Sequence, residues 1–352
     1  MLNRTLIFIA AFGILLSGCV TAPEQAGEKR ADDGKIIIGF SMDTLKEHWV
    51  RDRDLVTQKA KELGAEVIVS IADGNEERQI EQVDDMLTRG IDVLIMVPHN
   101  AKAAAAAVEK AKANNVPVVS YDRLILSDKI DVLVSHLHST AGQMQAEYAL
   151  KNAPKGNYVM VYGPSTDNNA AIIKEAQMAV LKPAIDRGDI KIVAEQNAAN
   201  WAPEEALKIA ENALTQNQNN IVAVVASNDG TAGGAIQALN VQGLKGKVVV
   251  TGMDAQLDAL QRIAVGEQSM TVYKPIKPLA DAAVEAAVKL AKGEKIMTEK
   301  TMKAVNKEIP FVFIQPIVVD KSNLMLPIND GAESYDDVYR NVPEAERPPR
   351  EK

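Results

Sequence analysis

The chain has 352 residues, of which 47% are hydrophobic and 24% charged, with a net charge of −8. That is room for two domains of about 100–200 residues, and it excludes wholesale disorder and a multispanning membrane protein. An acidic chain lacks the broad basic surface of a nucleic-acid binder, and its single cysteine allows no intramolecular disulfide and no Cys-rich metal site.

Residues 1–19 read MLNRTLIFIAAFGILLSGC. Arg4 supplies a positive start, and the apolar run 6–16 is too short for an ordinary membrane-spanning helix. The run ends in Leu16-Ser17-Gly18-Cys19, where the only cysteine sits. The pattern resembles a bacterial lipoprotein signal. The resemblance implies a signal peptide over 1–18, lipidation of Cys19, and an exported chain held at a membrane. An ordinary secretory leader with a chance cysteine is the plainer reading. Residues 19–34 are polar and rich in Ala, Gly and Pro, and read as a flexible tether.

From residue 35 the chain alternates. The β-branched run 36–40 predicts a strand buried on both faces. Residues 45–63 carry Leu45, Trp49, Val56, Ala60 and Leu63 at helical period, and Gly64 stops them. Strands follow at 65–71, 93–97, 116–120 and 131–135, with helices at 76–89 and 101–113 between the first three. This β-α alternation predicts a parallel sheet with right-handed crossovers and helices on both faces.

The pattern then restarts. Strands are predicted at 158–162, 190–193, 221–226 and 248–251, and helices at 169–185, 203–215 and 230–239. A helix at 279–291 and an apolar run at 311–319 remain to complete both halves. The fold class is α/β, with two similar Rossmann-like lobes. The expected division is 35–136 plus about 275–308 for the first lobe and about 137–274 plus 309–332 for the second. The charged, proline-containing end at 333–352 reads as a loosely ordered tail.

Catalytic and cofactor motifs do not appear. There is no GxxxxGK[ST], no GxGxxG after the first strand, no HExxH and no GxSxG, so no cofactor is expected. His136 and His138 alternate as strand neighbours would, which makes a metal pair conceivable; a polar strand end near an interlobe connection is the simpler reading. The body reads as a binder.

Ligands of open α/β sheets bind beyond the carboxyl ends of the strands. The residues there are unusually polar: Asp43 and His48-Trp49, then His99-Asn100, Asp122-Arg123, Asp167 to Asn169, Trp201, Asn228-Asp229, Asp254 and Lys274. Carboxylates and amides accept from hydroxyls, while Arg, Lys and amide N–H groups donate to them, which suits a neutral polyol. Trp49 and Trp201 fall one per lobe and could cover the two apolar faces of a pyranose. Singly, Asp43, Asp167 and Asn228 could each be a helix N-cap, and Trp49 also fits the core stripe of its helix.

At these residues the chain resembles the sugar-binding proteins of ABC importers with the type I periplasmic fold, in their D-xylose-binding branch. The similarity runs from about residue 35 to at least 276. It is carried by RDRD (51–54), DGNEERQ (73–79), YDR (121–123), DNNA (167–170), LKPAID (181–186), ASNDGTAGGAIQAL (226–239) and MTVYKPI (270–276). The resemblance implies two lobes joined by three crossovers, with a monosaccharide, D-xylose first, clamped between them. It assigns sugar contacts to Asp122, Arg123, Asn169, Asn228, Asp254 and Lys274, with Trp49 and Trp201 stacking. His48 stands where the family has an arginine, and Leu137-His138 where it has Asp-Asn. A histidine keeps a donor but not the two-pronged fork. A different pentose, a hexose or a weaker xylose site therefore stay open.

The implied partners are the sugar, the membrane subunits of an ABC permease and, through Cys19, the membrane; nucleic acid is not among them, and a clamp works as a monomer. Sensing for a membrane kinase or chemoreceptor would use the same clamp. An enzyme using Asp122 and Asp254 is disfavoured, because Arg123 and Lys274 would keep such carboxylates ionised. A repressor is disfavoured by the leader and by the lack of an N-terminal helix-turn-helix.

Overall fold

The computed structural model describes residues 34–46 and 48–350; the leader and Cys19 lie outside them. The first half runs β1 (Ile37–Met42), α1 (Trp49–Glu62), β2 (Glu66–Ile71), α2 (Glu76–Thr88), β3 (Val93–Met96), α3 (Ala105–Ala113), β4 (Val118–Tyr121) and β5 (Val132–His136). Strand β1 is buried throughout, with Ile38, Phe40 and Met42 in one core and Ile37 in the other. Burial on both faces requires helices above and below, and parallel pairing delivers them.

The second half runs α4 (His138–Asn152), β6 (Gly156–Tyr162), α5 (Asn168–Asp186), β7 (Ile190–Asn197), α6 (Pro203–Gln216), β8 (Ala223–Ala226), α7 (Asp229–Val241) and β9 (Val249–Val250). It continues through α8 (Leu257–Ala264), β10 (Met270–Tyr273), α9 (Ile276–Ala291), β11 (Lys300–Lys303), β12 (Glu308–Ile314), β13 (Ile317–Asp320), α10 (Met325–Asn329) and α11 (Tyr335–Val338).

The first lobe holds a seven-stranded sheet, β11-β12-β5-β4-β3-β1-β2. Helices α1 and α9 fill one face and α2 and α3 the other. The second lobe holds the sheet β7-β6-β8-β9, with α6 and α7 on one face and α4 and α5 on the other. Strands β10 and β13 pair antiparallel, and a Met253–Val272 bridge sets β10 beside the segment after β9. The chain passes between lobes at β5–α4, β10–α9 and β12–β13. Both lobes are thus α/β, joined by three crossings.

Two expectations are corrected. Residues 309–314 do not join the second lobe: Phe311 to Ile314 pair with Leu133 to His136, and Phe311 packs in the core beneath α2 and α3. The apolar run 311–319 is split between sheets, and hydrophobicity alone cannot mark the residue at which a strand changes sheet. The tail is also packed rather than loose. Val338, Tyr339 and Val342 are buried against Leu260 and Ile263 of α8 and Val319 of β13. Arg51 of α1 reaches this region, donating to the Gly331 carbonyl at 2.7 Å and to that of Ala332.

Candidate functional site

The strand ends of both lobes open into one cleft of about 1000 Å³. Asp43, His99 and Arg123 line it from the first lobe, and Thr166, Trp201 and Arg262 from the second. A smaller cavity shares Trp49, Arg123 and Trp201 with this cleft. It brings together all nine binding candidates read from the sequence: His48, Trp49, Asp122, Arg123, Asn169, Trp201, Asn228, Asp254 and Lys274. His138, Asp167 and Met253 complete its wall.

Asp122 follows β4 and Asp254 follows β9, both with positive φ, 56° and 104°. Such backbone is sparsely populated and concentrates at functional sites. Asn169 Nδ2 donates to the Asp122 carbonyl and to its Oδ1, each at 3.2 Å. Lys274 Nζ lies 3.0 Å from Asp254 Oδ1 and 3.4 Å from Asp122 Oδ2. Burial alone would raise both carboxyl pKa values, but Lys274 and the neighbouring histidines together outweigh it, holding Asp254 below the usual range and Asp122 well below. Burial would likewise discharge Lys274, and the two carboxylates hold its pKa up instead. The cavity therefore contains two ionised acceptors flanking one ionised donor at neutral pH.

Arg123 organises a second network. Its Nη1 donates to Asp43 Oδ2 at 2.8 Å and its Nε lies 2.9 Å from Asp167 Oδ2. Asp167 caps α5, accepting from Asn169 N through Oδ1 at 2.9 Å, and takes Trp201 Nε1–H on Oδ2 at 3.1 Å. Asn228 caps α7, accepting from Thr231 N at 2.9 Å while lining the cavity. For these two residues, cap and cavity wall are one arrangement: a strand-to-helix turn places the capping side chain at the sheet's carboxyl end. Asp43 is not a cap; it pairs with Arg123 and lies 2.9 Å from His99 Nδ1. Arg123–Asp167, Asn169–Asp122 and Lys274–Asp122 all join one lobe to the other.

The tryptophans differ. Trp49 is only 3% exposed and belongs to the first core, with the Arg123 guanidinium 5.3 Å from its ring centre. Trp201 sits at φ 57°, after Asn200 at φ 53°, a strained pair that carries its indole over the cleft. Gly163 makes the room, since a Cβ there would stand 2.2 Å from Trp201 Cη2. Gly163→Ala should displace the indole and weaken ligand binding by up to about tenfold, the worth of one aromatic contact. Titration calorimetry reads the change, and an unaltered affinity would remove Trp201 from the binding surface.

Three imidazoles approach the carboxylates. His48 Nδ1 lies 2.7 Å from Asp52 Oδ2, and Asp52 Oδ1 accepts from Tyr121 Oη–H at 2.6 Å. Burial, reinforced by Asp52, holds the Tyr121 hydroxyl protonated far into the alkaline range. His136 Nδ1 and His138 Nε2 flank Asp122 at 3.5 and 3.9 Å. Burial pushes both rings down, His138 to about 3, so they stay neutral. His138 opens α4 rather than continuing the strand. Both of its ring nitrogens are buried and lack a hydrogen-bond partner among the described residues. Among those residues, no cluster of three His, Cys, Asp or Glu is placed to hold a metal.

The nine binding candidates did not include His138, Asp167 or Met253. Asp167 was legible as a strand-end acid beside Asn169. His138 was read as a crossover residue, as half of a conceivable metal pair and as a departure from the family's Asp-Asn; its approach to Asp122 depends on how α4 leaves β5.

Residues 38–295 match the periplasmic binding protein domain. The chain is 46% identical over 299 residues to the D-xylose-binding periplasmic protein of Escherichia coli, covering 84% of this chain and 91% of that one. It is 45% identical over 304 residues to the D-xylose-binding periplasmic protein of Haemophilus influenzae, covering 86% and 92%. Among solved structures it resembles a carbohydrate transporter solute-binding protein from Chloroflexus aurantiacus in complex with D-glucose, with a TM-score of 0.80 and 30% identity, over 86% of this chain and 98% of that one. With its two α/β lobes, three crossings and polar interlobe cavity, the chain belongs to the periplasmic binding proteins, the exported solute-binding components of sugar ABC importers, which bind their ligand and do not transform it.

Proposed function

We propose that this protein captures a monosaccharide, D-xylose first, between its lobes and delivers it to an ABC permease. The observation that carries this reading is the convergence of charged acceptors, charged donors and an indole on one interlobe cavity. Asp122 and Asp254 accept sugar hydroxyl protons, Lys274 and Arg123 donate to sugar oxygens, and Asn169 and Asn228 add amide contacts. His138 joins them: a neutral buried imidazole can give one hydrogen bond and take another. Trp201 covers one apolar face of the ring and Trp49 closes the other side. The relatives named D-xylose-binding support the choice of sugar.

Binding works as a clamp. Sugar meets one lobe first, and closure adds the contacts of the other. Ligand shifts the open–closed balance only through those additional contacts. A Kd of about 1 μM corresponds to roughly −8 kcal/mol. A few charge-assisted hydrogen bonds of about 1.5–3 kcal/mol each reach that after ordering costs. The protein acts as a monomer, one sugar per clamp.

Calorimetric titration with D-xylose, ribose, arabinose, glucose and galactose tests the reading. Micromolar or tighter binding of D-xylose, with the others much weaker, supports it. A response to glucose or arabinose with none to D-xylose would mean that His48 and Leu137-His138 have re-specified the pocket.

Lipidation of Cys19 would tether this clamp at the membrane face where the permease stands. The support is the Leu16-Ser17-Gly18-Cys19 run and the absence of any other cysteine. Cells fed radiolabelled palmitate should label the protein and retain it in the membrane fraction. Cys19→Ala should abolish both, and unchanged labelling would sink the anchor.

A further inference from the structure

Helix α1 starts at the cavity, with His48 just before it and Asp52 one turn on. Asp52 is fully buried and holds two partners, Tyr121 Oη at 2.6 Å and His48 Nδ1 at 2.7 Å. A carboxylate only accepts hydrogen bonds, so the ring proton facing it sits on Nδ1. The other ring nitrogen, Nε2, makes no hydrogen bond among the described residues, while His48 lines the cavity. The charged groups facing the ring are Asp52 on its own helix, and Asp254 and Lys274 from the second lobe.

We infer that Asp52, anchored by Tyr121, is a positioning residue that fixes His48 in its Nδ1–H form and so makes Nε2 a specificity-determining contact for one sugar hydroxyl. This rests on the sugar-binding reading above. With the ring charged, Nε2–H donates to a sugar oxygen; with the ring neutral, Nε2 can only accept. One side chain thus presents opposite hydrogen-bond polarity on either side of its titration, whereas Arg123 and Lys274 always donate.

Electrostatics favours the charged form of the ring. Burial alone would discharge the ring, but the charge and hydrogen bond of Asp52 outweigh it and hold the His48 pKa above the ordinary histidine value. Asp254 adds to this and Lys274 opposes it. A charge-assisted hydrogen bond is about twice as strong as a neutral one. Sugar affinity is therefore highest with the ring charged and falls as pH rises through the His48 midpoint.

Two measurements on the full chain test this. Long-range 15N–1H correlation spectra of the sugar-free protein should give His48 an Nδ1–H tautomer at high pH. Calorimetric titration with D-xylose from pH 5.5 to 9 should show about five- to tenfold weaker binding above that midpoint. Asp52→Asn should move both the midpoint and the break in affinity to lower pH. His48→Arg, a permanent donor, should leave affinity flat with pH, and it serves if Asp52→Asn fails to fold. An Nε2–H tautomer, or an affinity break that neither substitution moves, overturns the inference. No D-xylose binding at any pH, with the tautomer as expected, would overturn the choice of sugar and leave the positioning of His48 standing.

Discussion

Asp254→Asn should weaken sugar binding about tenfold or more while the protein stays folded. The residue sits at φ 104°, which an asparagine tolerates far better than an alanine, so the substitution tests charge rather than backbone strain. Its carboxylate is buried, and Lys274 holds it ionised against the cost of burial. A sugar hydroxyl donating to that oxygen makes a charge-assisted hydrogen bond of about 1.5–3 kcal/mol, against roughly 0.5–1.5 kcal/mol for a neutral one. Among the described residues, the amide also leaves Lys274 with only Asp122, 3.4 Å away, in an ion pair. Titration calorimetry beside a thermal melt separates the two effects. Wild-type affinity in a folded variant would place Asp254 outside the sugar contacts.

Lys274→Met carries the larger expected cost to the protein itself. It leaves Asp122 and Asp254, both nearly inaccessible, without the cation between them. Removing one partner of a buried charge cluster costs about 3–5 kcal/mol, a large share of a typical stability of 5–15 kcal/mol. The pH dependence distinguishes this cause from a packing defect. In the native protein the folded Asp122 pKa is depressed, so its contribution is present above the unfolded value and lost as pH falls through the folded one. The Lys274 pKa is raised, so its contribution is present below the unfolded value and lost as pH rises through the folded one. Between about pH 4 and 10 this cluster therefore gives a plateau. Without Lys274 the carboxyl pKa values rise through burial and mutual repulsion. The stability lost relative to the native protein then grows as pH climbs through them, and is larger at pH 7.5 than at pH 5. Urea denaturation at the two pH values measures this. Equal losses at both would make the defect one of packing alone.

Much of the cavity wall was legible along the chain. Parallel strands buried on both faces show as β-branched runs, and in such sheets the polar residues just beyond the carboxyl ends must face the ligand side. Asp122, Arg123, Asn228, Asp254 and Lys274 could be picked out because each ends a recognisable run. Trp201 stood out because the chain has only two tryptophans.

Asp52 was visible only as a letter in RDRD on an amphipathic helix, where a charge normally faces solvent. Its burial and its bond to Tyr121, 69 positions away, follow from the packing of α1 on β4 and β1. The Asp43–Arg123 pair spans 80 positions and the Lys274–Asp122 pair 152. The switch of sheets within 311–319 and the docking of the tail onto α8 belong to the same class.

Local order was readable along the chain: which residues are strand, which are helix, and which polar side chains stand at strand ends. These follow from periodicity and capping within a few residues. Which of those side chains meet is set by the three-dimensional fold, because charge pairing, tautomer and burial depend on distances that two lobes and three crossings impose. His48 shows the difference: the sequence places it at the cavity, but only Asp52 and Tyr121, brought to it by the fold, decide which of its nitrogens carries the proton.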